Sequence, residues 1–67
     1  MFIKVEVSEK DISYINPSYL VEVNAFENDA KKGRVYILME GGHTLDLRFD
    51  NFFDAESYAQ GIVSHLN

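Results

Sequence analysis

The sequence predicts an α+β fold, an antiparallel β-meander of about five short strands with one C-terminal helix packed on one face. Three patterns support this prediction. A β-hairpin pattern runs through residues 34–49, alternating segments cover residues 2–8 and 19–26, and a 3.6-residue apolar period covers residues 55–66. The length of 67 residues predicts a single small domain, 1–67, with little apolar burial to spare.

The chain is acidic, with eleven Asp and Glu residues against six Lys and Arg residues and a formal charge of −5. Such a surface repels phosphate backbones, so we expect no nucleic-acid partner. The absence of cysteine excludes disulfides, thiolate catalysis and cysteine-rich zinc sites. No apolar run approaches the ~18 residues that span a bilayer and no basic-plus-apolar leader opens the chain, so we expect a cytoplasmic protein with no membrane partner.

The N-terminal part of the chain predicts a pair of strands and a corner. Residues 2–8 alternate between apolar and polar side chains, as a half-buried strand does, and residues 12–15 form a short return strand after a polar turn. Asn16 and Pro17 then break the ladder, because proline has no N–H to donate and Asn16 can cap a single turn that Pro17 begins.

A third strand is predicted over residues 19–26, followed by an exposed polar loop over residues 27–33. Strict alternation along this strand separates its side chains into two faces. The predicted faces are Val21, Val23 and Ala25 on one side, and Leu20, Glu22 and Asn24 on the other.

The hairpin over residues 34–49 has a register that its own pattern determines. A two-residue Gly41-Gly42 loop would place every apolar residue opposite a polar one, because a slip of one residue exchanges the faces of a strand. A three-residue loop that also includes Glu40 gives a continuous apolar face, with Gly42 in the left-handed position of a type I turn plus bulge. The predicted pairs are Met39–His43, Ile37–Leu45 and Val35–Leu47.

The C-terminal helix is predicted over residues 54–66. Asp54 is a suitable N-cap, and Phe53 before it is expected to pack on Tyr58 as a hydrophobic staple. Gly61 is unfavourable inside a helix, and close contact with a partner is one explanation for it. The apolar stripe consists of Ala55, Tyr58, Ala59, Ile62, Val63 and Leu66.

No arrangement of residues indicates catalysis, a metal site, a cofactor or a small-molecule substrate. His43 and His65 are far apart in the sequence, and neither has a second ligand at metal spacing. Asp46, Asp50 and Asp54 recur at every fourth position but lack the glycine and terminal glutamate of a calcium loop. We therefore expect a protein that is not an enzyme.

The side of the hairpin away from the helix is the candidate partner-binding surface. In the predicted register Arg34 lies directly opposite Arg48, and facing like charges destabilise a sheet. A carboxylate from Asp50, from Glu22 or from a partner is therefore expected between the two arginines. The predicted partner-binding residues are Arg34, Tyr36, Leu38, Arg48 and Leu20.

One helix covers only one side of a sheet, so Tyr36, Leu38 and Leu20 are predicted to be exposed on the other side. Either the meander curls into a barrel that covers them, or a second chain does. We favour a second chain, most simply a homodimer, because the facing arginines require carboxylates and this protein has an excess of acidic residues. Tyr and Arg beside Leu are also residue types enriched in binding hot spots. The alternative is an ordinary packed strand whose arginines are neutralised within the chain.

The order of features resembles the FlbD-type family of small flagellar proteins. The resemblance implies a non-enzymatic, motility-associated partner protein with no established active-site residues. This chain departs from the family pattern in its longer 27–33 loop and in Phe52-Phe53 before the helix. The segments that carry the resemblance are Ile3-Lys4, Ile15-Asn16-Pro17, Leu20-Val21-Glu22, Val35-Tyr36-Ile37-Leu38, Gly41-Gly42 and Leu45-Asp46-Leu47, followed by a short acidic-capped helix.

Two functions are compatible with these observations. The first is a small non-enzymatic protein-interaction module, of bacterial or phage type, that modulates a larger partner protein or forms a homodimer. The second is an acidic inhibitor of the phage or mobile-element type that mimics the charge of a nucleic acid. Mimicry needs carboxylates gathered on one face, whereas here they alternate with lysines and arginines, so the interaction module is the preferred hypothesis.

Overall fold

The computed structural model describes residues 1–65 and confirms the α+β fold class, with five antiparallel strands and a C-terminal helix. Residues 17–19 form one 3₁₀ turn between the second and third strands. The elements are β1 (Ile3–Ser8), β2 (Asp11–Ile15), β3 (Leu20–Glu27), β4 (Gly33–Met39), β5 (Thr44–Phe49) and α1 (Phe52–Ser64).

The strands are divided between two sheets, the hairpin β1–β2 and the three-stranded sheet β3–β4–β5. The β1–β2 hairpin and α1 both pack on the same face of the three-stranded sheet, and their side chains form one core with it. Fully or almost fully buried residues from every element except β3 meet in this core. They are Ile3, Val5, Ile15, Val35, Ile37, Leu47, Ala55, Ala59 and Ile62.

The register predicted for the β4–β5 hairpin is confirmed, with Ile37 opposite Leu45 and Val35 opposite Leu47. The main-chain N–H of Met39 donates to the carbonyl of His43 at 2.8 Å, which closes the three-residue loop. Gly42 has the predicted positive φ, 88°. Gly41 also has a positive φ, 87°, which is typical of the third residue of a type II turn, so the predicted type I turn is wrong.

The corner between β2 and β3 forms as predicted. The side-chain oxygen of Asn16 accepts a hydrogen bond from the N–H of Ser18 at 3.0 Å, and Pro17 begins the 3₁₀ turn. The last residue of this turn, Tyr19, accepts at its carbonyl a hydrogen bond from the N–H of Glu40 at 2.8 Å. The corner is thereby attached to the β4–β5 turn.

The predicted faces of β3 are wrong at its start, because a β-bulge lies between Leu20 and Glu22. The bulge leaves Val21 as the extra, exposed residue, and it places Leu20 opposite Met39 on the core side of the sheet. From Glu22 onward the strand alternates as expected, with Val23 directed to the core.

The helix begins two residues earlier than predicted, with Asn51 as its N-cap. The side-chain oxygen of Asn51 accepts a hydrogen bond from the N–H of Asp54 at 2.8 Å, so Asp54 lies in the first turn instead of capping it. Phe53 is 73% exposed, and the predicted staple is replaced by a contact between the rings of Tyr58 and Phe49 at 5.3 Å.

The stripe predicted for the helix is partly confirmed. Ala55, Ala59 and Ile62 are buried and Tyr58 packs against the core, whereas Val63 is 44% exposed. Leu66 lies outside the described residues. Within residues 1–65, no helix has the length and apolarity needed to cross a membrane.

Candidate interaction surfaces

The face of the three-stranded sheet opposite α1 and the β1–β2 hairpin is covered by neither element. Antiparallel alternation directs every second side chain of its strands to this side. We call it the outer face. Its residues are Glu22, Asn24 and Phe26 on β3, Arg34, Tyr36 and Leu38 on β4, and Thr44, Asp46 and Arg48 on β5.

Four of the five predicted partner-binding residues lie together on the outer face. They are Arg34, Tyr36, Leu38 and Arg48. Leu20 does not belong to this site, because the β3 bulge turns it toward the core, where it packs beside Met39. The strict alternation assumed for β3 does not allow for an extra residue, and this is the physical reason for the error.

Arg34 and Arg48 face each other as predicted, but no carboxylate of the described residues bridges them, and the one that pairs with Arg34 comes from neither Asp50 nor Glu22. Asp46 supplies it, with its Oδ1 accepting a hydrogen bond from Nε of Arg34 at 3.1 Å and its Oδ2 accepting a second from the same guanidinium. This two-pronged pair neutralises Arg34 within the chain. Among residues 1–65, no carboxylate lies within salt-bridge distance of Arg48.

Phe26 is an outer-face residue that the sequence analysis did not include in the site. It lies opposite Arg34 in the register, diagonal to Tyr36 on the same side of the sheet, and is 39% exposed. Phe26 follows Asn24 by two residues and Glu22 by four, so alternation along the strand already predicts that it shares their face. The outer face therefore has an apolar centre formed by Tyr36 and Leu38 on the middle strand, with Phe26 at one corner and charged side chains on the flanking strands.

A second surface lies at the other side of the sheet, near the β4–β5 turn. A cleft of about 720 Å³ separates this turn from the β1–β2 hairpin and the Asn16–Tyr19 corner. We call it the aromatic cleft. Its lining includes Phe2, Tyr14, Tyr19, Met39, Glu40 and His43.

The three aromatic side chains of this cleft are more exposed than the apolar centre of the outer face. Phe2 is 64%, Tyr14 62% and Tyr19 52% exposed. This surface could not be predicted from the sequence, because the segments that form it are far apart along the chain.

Within residues 1–65, no group of three or more His, Asp or Glu side chains lies close enough to hold a metal ion, and no polar or charged residue is buried. Burial, with a smaller contribution from the charge of Glu6, raises the pKa of Tyr58 above its ordinary value. Tyr58 packs on Phe49, away from both surfaces, so its pKa concerns the stability of the fold.

Comparisons with family models, curated proteins and solved structures find no match to this chain. The resemblance to FlbD-type flagellar proteins therefore stays a prediction. The outer face and the aromatic cleft are the two surfaces on which a proposed function can rest.

Proposed function

We propose that this chain is a small non-enzymatic protein-interaction module that binds a larger protein, or a second copy of itself, through the outer face. The observation that carries the proposal is that α1 and the β1–β2 hairpin pack on the same face of the sheet. The opposite face is left open, with Tyr36 and Leu38 at its centre and Phe26 at one corner. In a chain of 67 residues, that apolar surface is a large fraction of what is available for burial.

The outer face has the arrangement of residue types that a protein interface requires. An apolar centre with aromatic residues is surrounded by a polar rim, as in other protein–protein contacts. The Arg34–Asp46 pair fixes one side of the rim, so these side chains lose little freedom when a partner binds. Tyr and Arg are also the residue types on which binding energy is concentrated.

Arg48 gives the surface a charge preference. Its guanidinium has no carboxylate within salt-bridge distance among residues 1–65, while its neighbour Arg34 is already paired. A partner that presents a carboxylate opposite Arg48 would gain a charge-assisted hydrogen bond. A second copy of this chain meets that requirement, because its formal charge is −5.

Charge mimicry of a nucleic acid is supported less well by this surface. A mimic needs carboxylates gathered on one face. The outer face instead places Arg34 and Arg48 around Asp46, so both signs of charge are mixed on it.

The first test is the solution mass of the wild type and of Tyr36→Glu, measured by sedimentation over a range of concentrations. We expect the wild type to form a dimer and Tyr36→Glu to be monomeric, because the new carboxylate cannot be buried in an interface without a group of opposite charge beside it. Phe53→Glu is the matched control: it introduces the same charge at an exposed aromatic residue of α1, outside the outer face, and it should dimerise like the wild type.

If the wild type is monomeric, the same variants test for a larger partner. Immobilised wild type and Phe53→Glu should retain a protein from a lysate of the native host that Tyr36→Glu does not retain. A monomeric wild type, with no retained protein that depends on Tyr36, would refute the proposal.

A further inference from the structure

The aromatic cleft has a different chemistry from the outer face. Its exposed rings belong to Phe2, Tyr14 and Tyr19, and Glu40 is its one lining residue with a formal charge at pH 7 among the described residues. No lysine or arginine of residues 1–65 lines it. Aromatic faces and a carboxylate both attract positive charge, so the lining is complementary to a cationic group.

The cleft is fixed in shape by main-chain hydrogen bonds. The N–H of Glu40 donates to the carbonyl of Tyr19 at 2.8 Å, which sets the acid and one ring at the same end of the cleft. Asn16 caps the turn that carries Tyr19, and the N–H of Gly42 donates to the carbonyl of Met39 at 3.2 Å. A ligand would therefore meet a largely preformed site, which reduces the entropy cost of binding.

The cleft floor and rim indicate what else the ligand contains. Met39 and Leu45 are half-buried at the floor, so apolar groups of a ligand can cover them. Asn16 and His43, with the tyrosine hydroxyls, provide hydrogen-bonding groups along the rim. An extended polypeptide, whose main-chain N–H and C=O groups are unpaired, uses such groups, whereas a helix has already paired its own.

We propose that the aromatic cleft binds an extended segment of a partner protein through a lysine or arginine side chain, which lies against the Tyr14 and Tyr19 rings and pairs with Glu40. The net charge of −5 favours a positively charged segment at long range as well. Anionic ligands such as phosphates are disfavoured, because the lining offers them a carboxylate and no basic side chain. This site is separate from the outer face, and its failure would leave the proposed function standing.

The test is a titration of the ¹⁵N-labelled protein with the peptide acetyl-Gly-Pro-Arg-Val-Gly-amide, followed by amide chemical shifts. We expect shifts centred on residues 14–19 and 39–45. Replacing the arginine of the peptide by citrulline keeps its shape and removes its charge, and it should weaken binding roughly tenfold, as the loss of a cation–π contact and an ion pair predicts. An acetylated-lysine peptide and its lysine counterpart provide the same comparison for lysine.

Two pairs of variants separate the cleft from general electrostatics. Glu40→Gln and Tyr14→Ala should each weaken binding of the arginine peptide about fivefold to tenfold. Glu22→Gln makes the same charge change on the outer face, and Phe53→Ala removes an exposed ring of α1 outside both surfaces, so both should leave the affinity within about twofold. Retained shifts elsewhere in each variant show that it is folded.

Several results would overturn the proposal. They are equal binding of the arginine and citrulline peptides, an equal loss in Glu22→Gln and Glu40→Gln, and shifts confined to the outer face. Binding of tetramethylammonium chloride as tightly as the peptide would show a site for a small cation and would also overturn it.

Discussion

Gly33, at the start of β4, passes close to the start of α1. It is buried where the strand passes the first turn of α1, opposite Phe49 in the register. A Cβ atom added there would lie 2.0 Å from the carbonyl oxygen of Asn51 and 2.9 Å from Cβ of Ala55. The sequence placed Gly33 at the end of a polar loop, although an isolated glycine at the start of a strand also indicates a close backbone approach.

We expect Gly33→Ala to destabilise the protein by about 1–3 kcal/mol or more, because the helix N-terminus must move to make room for the methyl group. Gly61→Ala is the matched control. A Cβ there meets nothing within 4 Å, and Gly61 lies inside α1, so the control should stabilise by up to about 1 kcal/mol through helix propensity. Urea denaturation of both variants measures this, and equal effects would contradict the assigned contact.

Tyr58 couples the stability of the fold to alkaline pH. Burial, and to a lesser extent the charge of Glu6, disfavours its phenolate and raises its pKa above the ordinary value of 10.0. The folded state therefore holds the phenolic proton more tightly than the unfolded state does. The stability that this proton contributes is fully present below the unfolded pKa and is lost as the pH rises through the folded pKa.

We expect the free energy of unfolding of the wild type to fall more steeply than that of Tyr58→Phe between about pH 9 and pH 11. Glu6→Gln removes the smaller of the two causes, so its slope should lie between those of the wild type and Tyr58→Phe. Denaturant melts at a series of pH values give the three slopes. Parallel curves for the wild type and Tyr58→Phe would show that Tyr58 titrates alike in both states.

The β4–β5 hairpin is the element that the sequence predicts best. Its register follows from a local argument, since only a three-residue loop places Ile37 opposite Leu45 and Val35 opposite Leu47. The turn type is harder to predict. Either of two adjacent glycines can adopt a positive φ, and the sequence pattern does not show whether one or both of them do. Both Gly41 and Gly42 have that conformation.

Gly42→Val is expected to destabilise the hairpin by more than about 1 kcal/mol, because a β-branched residue resists positive φ. The cost should be conformational, since a Cβ at Gly42 would meet nothing within 4 Å. Gly42→Asn is the control, because asparagine tolerates the left-handed region and should lose less than valine. Thermal and denaturant melts test the ranking, and a neutral Gly42→Val would rule out the assigned turn.

The errors at β3 and α1 have local causes. At β3, the bulge adds Val21 without changing the apolar pattern, so alternation alone directs Leu20 to the wrong face. At α1, Asn51 and Asp54 are both suitable caps three residues apart, and their side chains also contact each other at 3.3 Å. The pattern of capping residues does not decide which one begins the helix.

At the scale of the whole molecule, the two surfaces differ in how far the sequence could predict them. The outer face follows from alternation within one hairpin, which is why Arg34, Tyr36, Leu38 and Arg48 could be assigned to one side. The aromatic cleft requires the β1–β2 hairpin to pack beside the β4–β5 turn without joining its sheet. Nothing local in the sequence states that the strands divide into two sheets.

The distribution of charge over the whole molecule bears on nucleic-acid binding. Three basic residues, Lys32, Arg34 and Arg48, line a hollow of about 320 Å³ at the open end of β4 and β5. Asp50 lines the same hollow, and Arg34 is paired with Asp46. The local excess of positive charge is therefore small, in a chain whose net charge is −5.

We accordingly expect no association with duplex DNA or RNA at physiological ionic strength, since phosphate contacts supply most of non-specific binding. Fluorescence anisotropy of a labelled duplex, titrated with protein at several salt concentrations, measures it. Arg48→Glu reverses a charge of the hollow that no carboxylate of residues 1–65 pairs with, and it is the control. If the wild type bound tightly, with an affinity that fell as salt increased and was lost in Arg48→Glu, the hollow would be a phosphate site and the charge argument would be wrong.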